Sequence, residues 1–180
     1  MLTIHAPGAG EAVLVEGDRV AAIGPYEELA SAYPAARVRR WPGALGPGLV
    51  NPYGPELLER AYHPDPREAD VLGTEPILDP SFPVDDARRG GSARRGVQRL
   101  LAHGVVAVTG ELRSRPVLEA ARRSGLTVLP RAALPAAPPS LTAGTPLPPL
   151  RVGDPARFAV FDGAVCVATV VAGRLVYRAR

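Results

Sequence analysis

Few side chains in this sequence can do chemistry. His63 lies in Tyr62-His-Pro-Asp-Pro-Arg-Glu68, with carboxylates at Asp65 and Asp70. An imidazole can act as a general base, and with two carboxylates it makes a donor set for a divalent metal. No strand or helix pattern fixes the geometry of these three, so the segment reads as a Pro-stiffened surface loop and no metal site is expected. Glu111 follows Thr109-Gly110 at the end of one apolar run, and Tyr53 follows Leu49-Val50 at the end of another. If both runs are parallel strands, Tyr53 and Glu111 fall on the side where such sheets hold ligands. They are the candidate ligand-binding residues, and Glu111 joins His63 as a candidate catalytic group.

The remaining reactive types read as structural. His5 belongs to an N-terminal strand. His103 sits at a helix C-terminus, where the dipole favours an imidazolium. Cys166 is the one cysteine and cannot form an intrachain disulfide or a Cys-rich zinc site. It lies in the apolar run Ala164–Val171 and reads as a small buried hydrophobe.

The elements that must position these residues follow from pattern. Ala12–Glu16 and Arg19–Ile23 flank Gly17-Asp18, a two-residue hairpin signal. Gly24-Pro25 stops the second strand, Tyr26–Tyr33 makes one or two helical turns closed by Pro34, and Arg37–Trp41 resumes a strand. The C-terminus has the same character, with strands over 157–161, 164–171 and 174–177. In the middle, Asp85 and Asp86 are candidate N-caps for a helix running toward His103, with an apolar stripe of Val97, Leu100 and Leu101 and with Gly104 past its end. Gly90-Gly91 costs roughly 1 kcal/mol per residue, which predicts a helix start near Ser92. Val105–Thr109 is a fully apolar strand of the parallel type. Ser114, Pro116 and Gly125 bracket a second helix, and Leu126–Leu129 is the next strand. With Leu49-Val50 first, the order is β-α-β-α-β, two right-handed crossovers.

The fold class is therefore α/β, or α+β overall. A composite β-sandwich is built from both chain ends, residues 1–50 and 150–180. A parallel β-α-β-α-β segment occupies 51–130. Residues 131–149 are Pro- and Ala-rich, cannot pair as a central strand and form a covering loop.

Composition bounds the rest. The 180 residues contain 46% hydrophobic types, enough for a core. The 21 Pro and 19 Gly argue against a helical bundle. No apolar run reaches the ~18 residues of a membrane span, and the N-terminus lacks a signal-peptide pattern, so a cytoplasmic protein is expected. All 21 basic residues are Arg. With abundant Ala, Pro, Gly and Val, that usage reads as a GC-rich bacterial genome. The pairs Arg39-Arg40, Arg88-Arg89, Arg94-Arg95 and Arg122-Arg123 raise a nucleic-acid surface. Net charge is only +3, and no aromatics interleave the pairs, so solvated faces are expected rather than nucleic-acid contacts.

Ala12–Val50 runs as strand, Gly-Asp turn, Arg19-Val-Ala-Ala-Ile-Gly-Pro25, short helix and Leu45-Gly-Pro-Gly-Leu-Val50. Leu100–Val108, Leu150–Asp162 and Ala168–Tyr177 follow in an order that, with this opening, resembles the amidohydrolase superfamily, and within it imidazolonepropionase-like proteins. The resemblance implies a composite β-sandwich beside a barrel that binds zinc or iron. The family's first barrel strand ends in His-x-His, two imidazoles facing one metal. Those positions fall here on Tyr53 and Pro55. A neutral phenol is a poor zinc ligand, and proline has no side-chain donor.

A complete barrel takes ~200 residues or more, whereas only about 100 lie between Val50 and Arg151. The family's later ligands, a Lys or Glu, two His and an Asp, would lie on strands for which this sequence has no room. The expectation is a truncated, metal-free relative without cofactor, acting as a binding or structural protein with a possible small-molecule ligand. Three parallel strands leave edges unpaired. Segment 130–150 and loop 63–84 must cover them, or a homodimer or another protein partner must. The alternative is a hydrolase of carbon–nitrogen bonds in cyclic amides or amines with a rebuilt or partner-supplied site.

Overall fold

The computed structural model describes residues 1–79, 81–131, 133 and 136–179, without the side chain of Asp86. The chain divides into two compact units. Unit one comprises Met1–Leu49, Leu101–Val106 and Pro146–Arg180, and unit two comprises Val50–Leu100 and Ala107–Thr145.

Unit one is organised by β1 (Leu2–Ala9), β2 (Ala12–Glu16), β3 (Arg19–Gly24), helix α1 (Tyr26–Ala32) and β4 (Arg37–Pro47), joined near the C-terminus by β9 (Phe158–Asp162), β10 (Val165–Val171) and β11 (Arg174–Arg178). The strands form one mixed seven-stranded sheet in the order β11-β10-β9-β4-β1-β2-β3. β1 and β4 are parallel, and β4 then pairs antiparallel with β9, which ties the two chain ends into one sheet.

The sequence predicts a sandwich built from both chain ends; the structure has both ends in this one mixed sheet. Val13, Val15 and Val20 on one flank pack with Phe158 and Val170 on the other. The fold is closed by backbone bonds, Val20 N to the Asp154 carbonyl at 2.9 Å and Ala156 N to the Asp18 carbonyl at 2.8 Å. Where the β2–β3 and β10–β11 turns meet, a Cβ on Gly173 would stand 1.9 Å from the Gly17 carbonyl oxygen, so only glycine fits that approach.

The second sheet has the order β7-β6-β5-β8, with β5 (Leu49–Asn51), β6 (Val105–Thr109), β7 (Thr127–Leu129) and β8 (Thr145–Pro146). β6 and β7 are parallel in the register Ala107↔Thr127 to Thr109↔Leu129. Val105, Val106, Ala107 and Val108 are each 1% exposed or less, the double-sided burial that their unbroken apolar run implies. The Pro-rich segment supplies β8 as an edge strand, a place where proline is tolerated. Ala132, Leu134 and Pro135 of that segment lie outside the described residues.

Between β5 and β6 lie a π turn at Glu56–Arg60, a 3₁₀ turn at Pro66–Glu68, α2 (Ala69–Leu72) and α3 (Asp86–Ala102); α4 (Arg115–Ser124) links β6 to β7. The structure corrects the expected start of α3, which runs through Gly90-Gly91 from Asp86. Asp85 Oδ1 accepts the Arg88 amide at 2.8 Å, and the Arg89 amide donates to the Asp85 carbonyl at 2.9 Å. Arg88 and Arg89 are also anchored by their guanidiniums. Together these offset the roughly 1 kcal/mol lost at each glycine. The side chain of Asp86, the other candidate cap, lies outside the description. α4 ends as expected, with Gly125 at φ 81° accepting the left-handed turn.

Candidate functional site

Tyr53 follows β5 and is 3% exposed. Its amide donates to Asn51 Oδ1 at 2.9 Å, a local turn that fixes the ring, and its hydroxyl donates to the Ala137 carbonyl at 2.6 Å. Asn51 Nδ2 donates to the Ser140 carbonyl at 2.8 Å. Both residues therefore pin the Pro-rich segment to the end of β5. Pro55 packs where β6 ends, and a Cβ on Gly110 would lie 2.6 Å from Pro55 Cδ. Thr109 Oγ1 donates to the Pro52 carbonyl at 3.2 Å, and Arg131 Nη2 reaches both carboxylate oxygens of Glu56 at 3.1 and 3.0 Å. The C-terminal ends of these strands are bound to one another.

Glu111, the other candidate ligand-binding residue, is an exposed carboxylate paired with Arg113 at 2.9 Å; its side chain is 74% exposed. No hydrogen bond joins it to Tyr53, whose hydroxyl is already committed. The carboxylate that works in this region is Glu59. Its Oε1 accepts the amides of Arg113 and Ser114, each at 2.6 Å, and so caps α4 from a distance. Ser114 makes no side-chain cap bond of its own. Local sequence cannot signal a cap that lies 55 residues upstream.

His63 is fully buried rather than displayed on a surface loop. Its Nε2 lies 2.7 Å from the Leu57 carbonyl and must carry the hydrogen, which leaves Nδ1 as a buried acceptor without a partner among the described residues. The His63 amide donates to Ser92 Oγ at 2.9 Å. Burial pushes the imidazole down to about 4, so it is neutral at pH 7. His5 is also buried, accepts from Trp41 Nε1 at 3.2 Å through Nδ1, and is pushed to about 4 by burial and then by the Arg39 charge. His103 is exposed just past α3. Cys166 is buried, and burial raises its thiol, as a structural cysteine requires.

Asp65 does not join His63. Its Oδ1 accepts the Arg67 amide at 3.1 Å, and its Oδ2 pairs with Arg95 at 3.2 Å. Asp70 is exposed on α2. Among the described residues, no group of three or more His, Cys, Asp or Glu is arranged for a metal ion.

The strongest polar cluster of unit two was not legible as one. Tyr62, 2% exposed, donates to Glu68 Oε2 at 2.5 Å, while Arg88 pairs with the other Glu68 oxygen and reaches the Tyr62 hydroxyl at 3.0 Å. The Tyr62 bond, ahead of the Asp65 amide and Arg88, holds Glu68 down to about 2. Phe82 stacks on Tyr62 at 5.0 Å between centroids. The only prior signal was the capping pattern Asp65-x-x-Glu68, which the structure forms in full.

The family model of the imidazolonepropionase-like composite domain of bacteria matches residues 12–36, the stretch from β2 through α1. That stretch is similar to part of an imidazolonepropionase-like composite domain. Solved structures similar to the chain include an A. niger ochratoxinase (17% identity, 72% of this chain and 30% of that one, TM-score 0.44). They also include a zinc-bound adenosine deaminase from Xanthomonas campestris (17%, 71% and 33%, TM-score 0.46) and a Helicobacter pylori aminofutalosine deaminase (13%, 71% and 32%, TM-score 0.44). The chain spans about a third of the length of these structures. No curated protein matches it.

The metal implied by the resemblance read from the sequence does not fit the residues present. That resemblance puts the two imidazole positions on Tyr53 and Pro55. The hydroxyl of the first donates its hydrogen bond to the Ala137 carbonyl, and the second has no side-chain donor atom for a metal. No helix among the described residues is long and apolar enough to cross a membrane.

Proposed function

We propose that this amidohydrolase-like chain is catalytically degenerate and acts as a binding or structural protein. The observation that carries the reading is the Tyr53–Ala137 hydrogen bond. The first position of the lost His-x-His pair serves to fasten the chain's own Pro-rich segment over the strand end. His63 supports it, because the imidazole is buried, neutral and turned toward the Leu57 carbonyl. A working hydrolase of this type needs a metal-bound hydroxide near neutral pH, and the three histidines here are two buried core residues and one exposed residue at a helix end.

Self-association is part of the proposal. β7 and β11 are end strands of the two sheets, while β8 from the Pro-rich segment already lines β5. A homodimer joined through such an edge satisfies backbone groups that the monomer leaves to water.

The test is turnover of a panel of cyclic amides and amines by wild type, Glu111→Ala and His63→Ala, each with added zinc or iron. No turnover in any of them is the expected result. Wild-type turnover lost in Glu111→Ala, with thermal stability unchanged, would favour a hydrolase with a rebuilt site.

A further inference from the structure

In unit one, strand pairing gathers arginines on one side of the seven-stranded sheet. Thr3 pairs with Val15 and with Arg37, and His5 pairs with Val13 and with Arg39. Paired residues share a face. Arg37 and Arg39 therefore extend from the side on which Val13 and Val15 pack with Phe158 and Val170. The His5 ring meets the Phe158 ring edge-on there, at 4.9 Å between centroids. β11 brings a third cation to this side. Arg178 pairs with Ala168, which clusters with Trp41, and its guanidinium lies over the Trp41 ring, 5.6 Å from the centroid.

The three cations lack a counter-charge. Arg37 and Arg178 are exposed and Arg39 is half-buried, and none has an ion pair or a side-chain hydrogen bond among the described residues. By contrast, Arg88, Arg95 and Arg131 of unit two each meet a carboxylate. Glu16, at the same end of the sheet, pairs with Leu2 and so faces the opposite side. Arg37 and Arg39 are two residues apart on a strand, which puts their Cα atoms about 7 Å apart. Burial first, and then the charges of Arg37 and Arg178, lower the Arg39 guanidinium from its usual value. Like charges held this close without an acid repel, and one multivalent anion relieves all three.

We propose that this arginine cluster binds an oligophosphate, with Arg37, Arg39 and Arg178 each taking phosphate oxygens. Guanidiniums hold phosphate by paired N–H bonds. A chain of linked phosphates carries several charges, whereas a monocarboxylate would neutralise one cation and leave the others. Nucleic acid fits less well. Trp41 is 7% exposed and already covered by Arg178, so it gives no platform for a base. Arg40 lies on the other face, over the Tyr26 ring at 4.4 Å, and takes no part. The inference rests on unit one alone and is independent of whether unit two has lost catalysis.

The experiment titrates inorganic tripolyphosphate into the full chain at about 0.15 M salt, read by calorimetry and thermal shift. Saturable binding of one tripolyphosphate per chain is expected, with a rise in melting temperature. Arg39→Gln and Arg178→Gln should each weaken it about ten-fold or more. Should Arg39→Gln fail to fold, Arg37→Gln, on an exposed side chain, gives the same reading. Arg40→Gln removes an equal charge from the opposite face and should leave affinity within about two-fold. ATP should bind like tripolyphosphate, and adenosine should not bind, because the phosphate chain is what the site reads. Absence of saturable binding by either polyphosphate, equal weakening by Arg39→Gln and Arg40→Gln, or binding of adenosine would overturn the assignment. So would a short DNA duplex that binds more tightly than tripolyphosphate through Arg39, which would mark a nucleic-acid surface instead.

Discussion

The Tyr53 hydroxyl donates a 2.6 Å hydrogen bond to the carbonyl of Ala137, 84 residues further along the chain. With Asn51 Nδ2 on the Ser140 carbonyl, this makes Asn51 and Tyr53, at the end of β5, fasteners of the Pro-rich segment. Tyr53→Phe removes one bond and leaves the carbonyl to find water. A loss of about 1 kcal/mol is expected, with faster proteolytic nicking within 130–145. Urea unfolding and limited proteolysis check both, and resistance equal to wild type would argue against the fastening role.

Gly96 faces His63 inside unit two. A Cβ there would lie 2.6 Å from His63 Nε2 and 3.1 Å from Leu58 Cδ2. On an open helix face, Gly→Ala stabilises by up to about 1 kcal/mol. Here overpacking decides the sign, and Gly96→Ala should destabilise by roughly 1–3 kcal/mol. Chemical denaturation reads it directly; a stabilised variant would mean that the imidazole is not held where described.

Acid stability should be set first by the two buried histidines. His5 and His63 have folded values of about 4 against an unfolded 6.5, so the unfolded chain binds protons first as pH falls. Their neutral burial contributes fully above pH 6.5. The contribution is lost between 6.5 and about 4, on the order of 3 kcal/mol for each. Denaturation midpoints should decline across that window, and His63→Gln should flatten the slope. A midpoint constant from pH 7 to 4.5 would contradict it.

Glu59 caps α4 through two backbone amides, so Glu59→Ala should cost about 1–2 kcal/mol. Glu59→Gln keeps an acceptor oxygen and should fall between. Glu111→Ala, by comparison, breaks a surface pair and should change stability by less than about 0.5 kcal/mol. Thermal melts of the three variants give the ranking, and equal effects at Glu59 and Glu111 would refute it.

What sequence made legible was local. The Gly17-Asp18 hairpin, the apolar run of β6, the Ser114–Gly125 helix and the shared sheet of the two chain ends each follow from patterns within about a dozen residues or from order along the chain. The start of α3 was misplaced because helix propensity saw two glycines but not the Asp85 cap and the two anchored arginines. Loop Tyr62–Glu68 read as exposed because proline and acids usually are. Its burial depends on Ser92, Gly96 and Arg95, about 30 residues away, on a helix whose facing side carries no long apolar side chain at Gly96. Tyr53 and Glu111 were rightly placed at strand ends, but their partners, Ala137 and Arg113, decide that one is a fastener and the other a surface ion.

The most direct measurement is metal stoichiometry. The chain is incubated with excess zinc, desalted, and weighed by native mass spectrometry. No stoichiometric zinc should remain, because Tyr53 and Pro55 provide no ligand pair and His63 is sealed against Leu57. One tightly held zinc per chain, lost on His63→Ala or Glu111→Ala in a folded variant, would contradict the account.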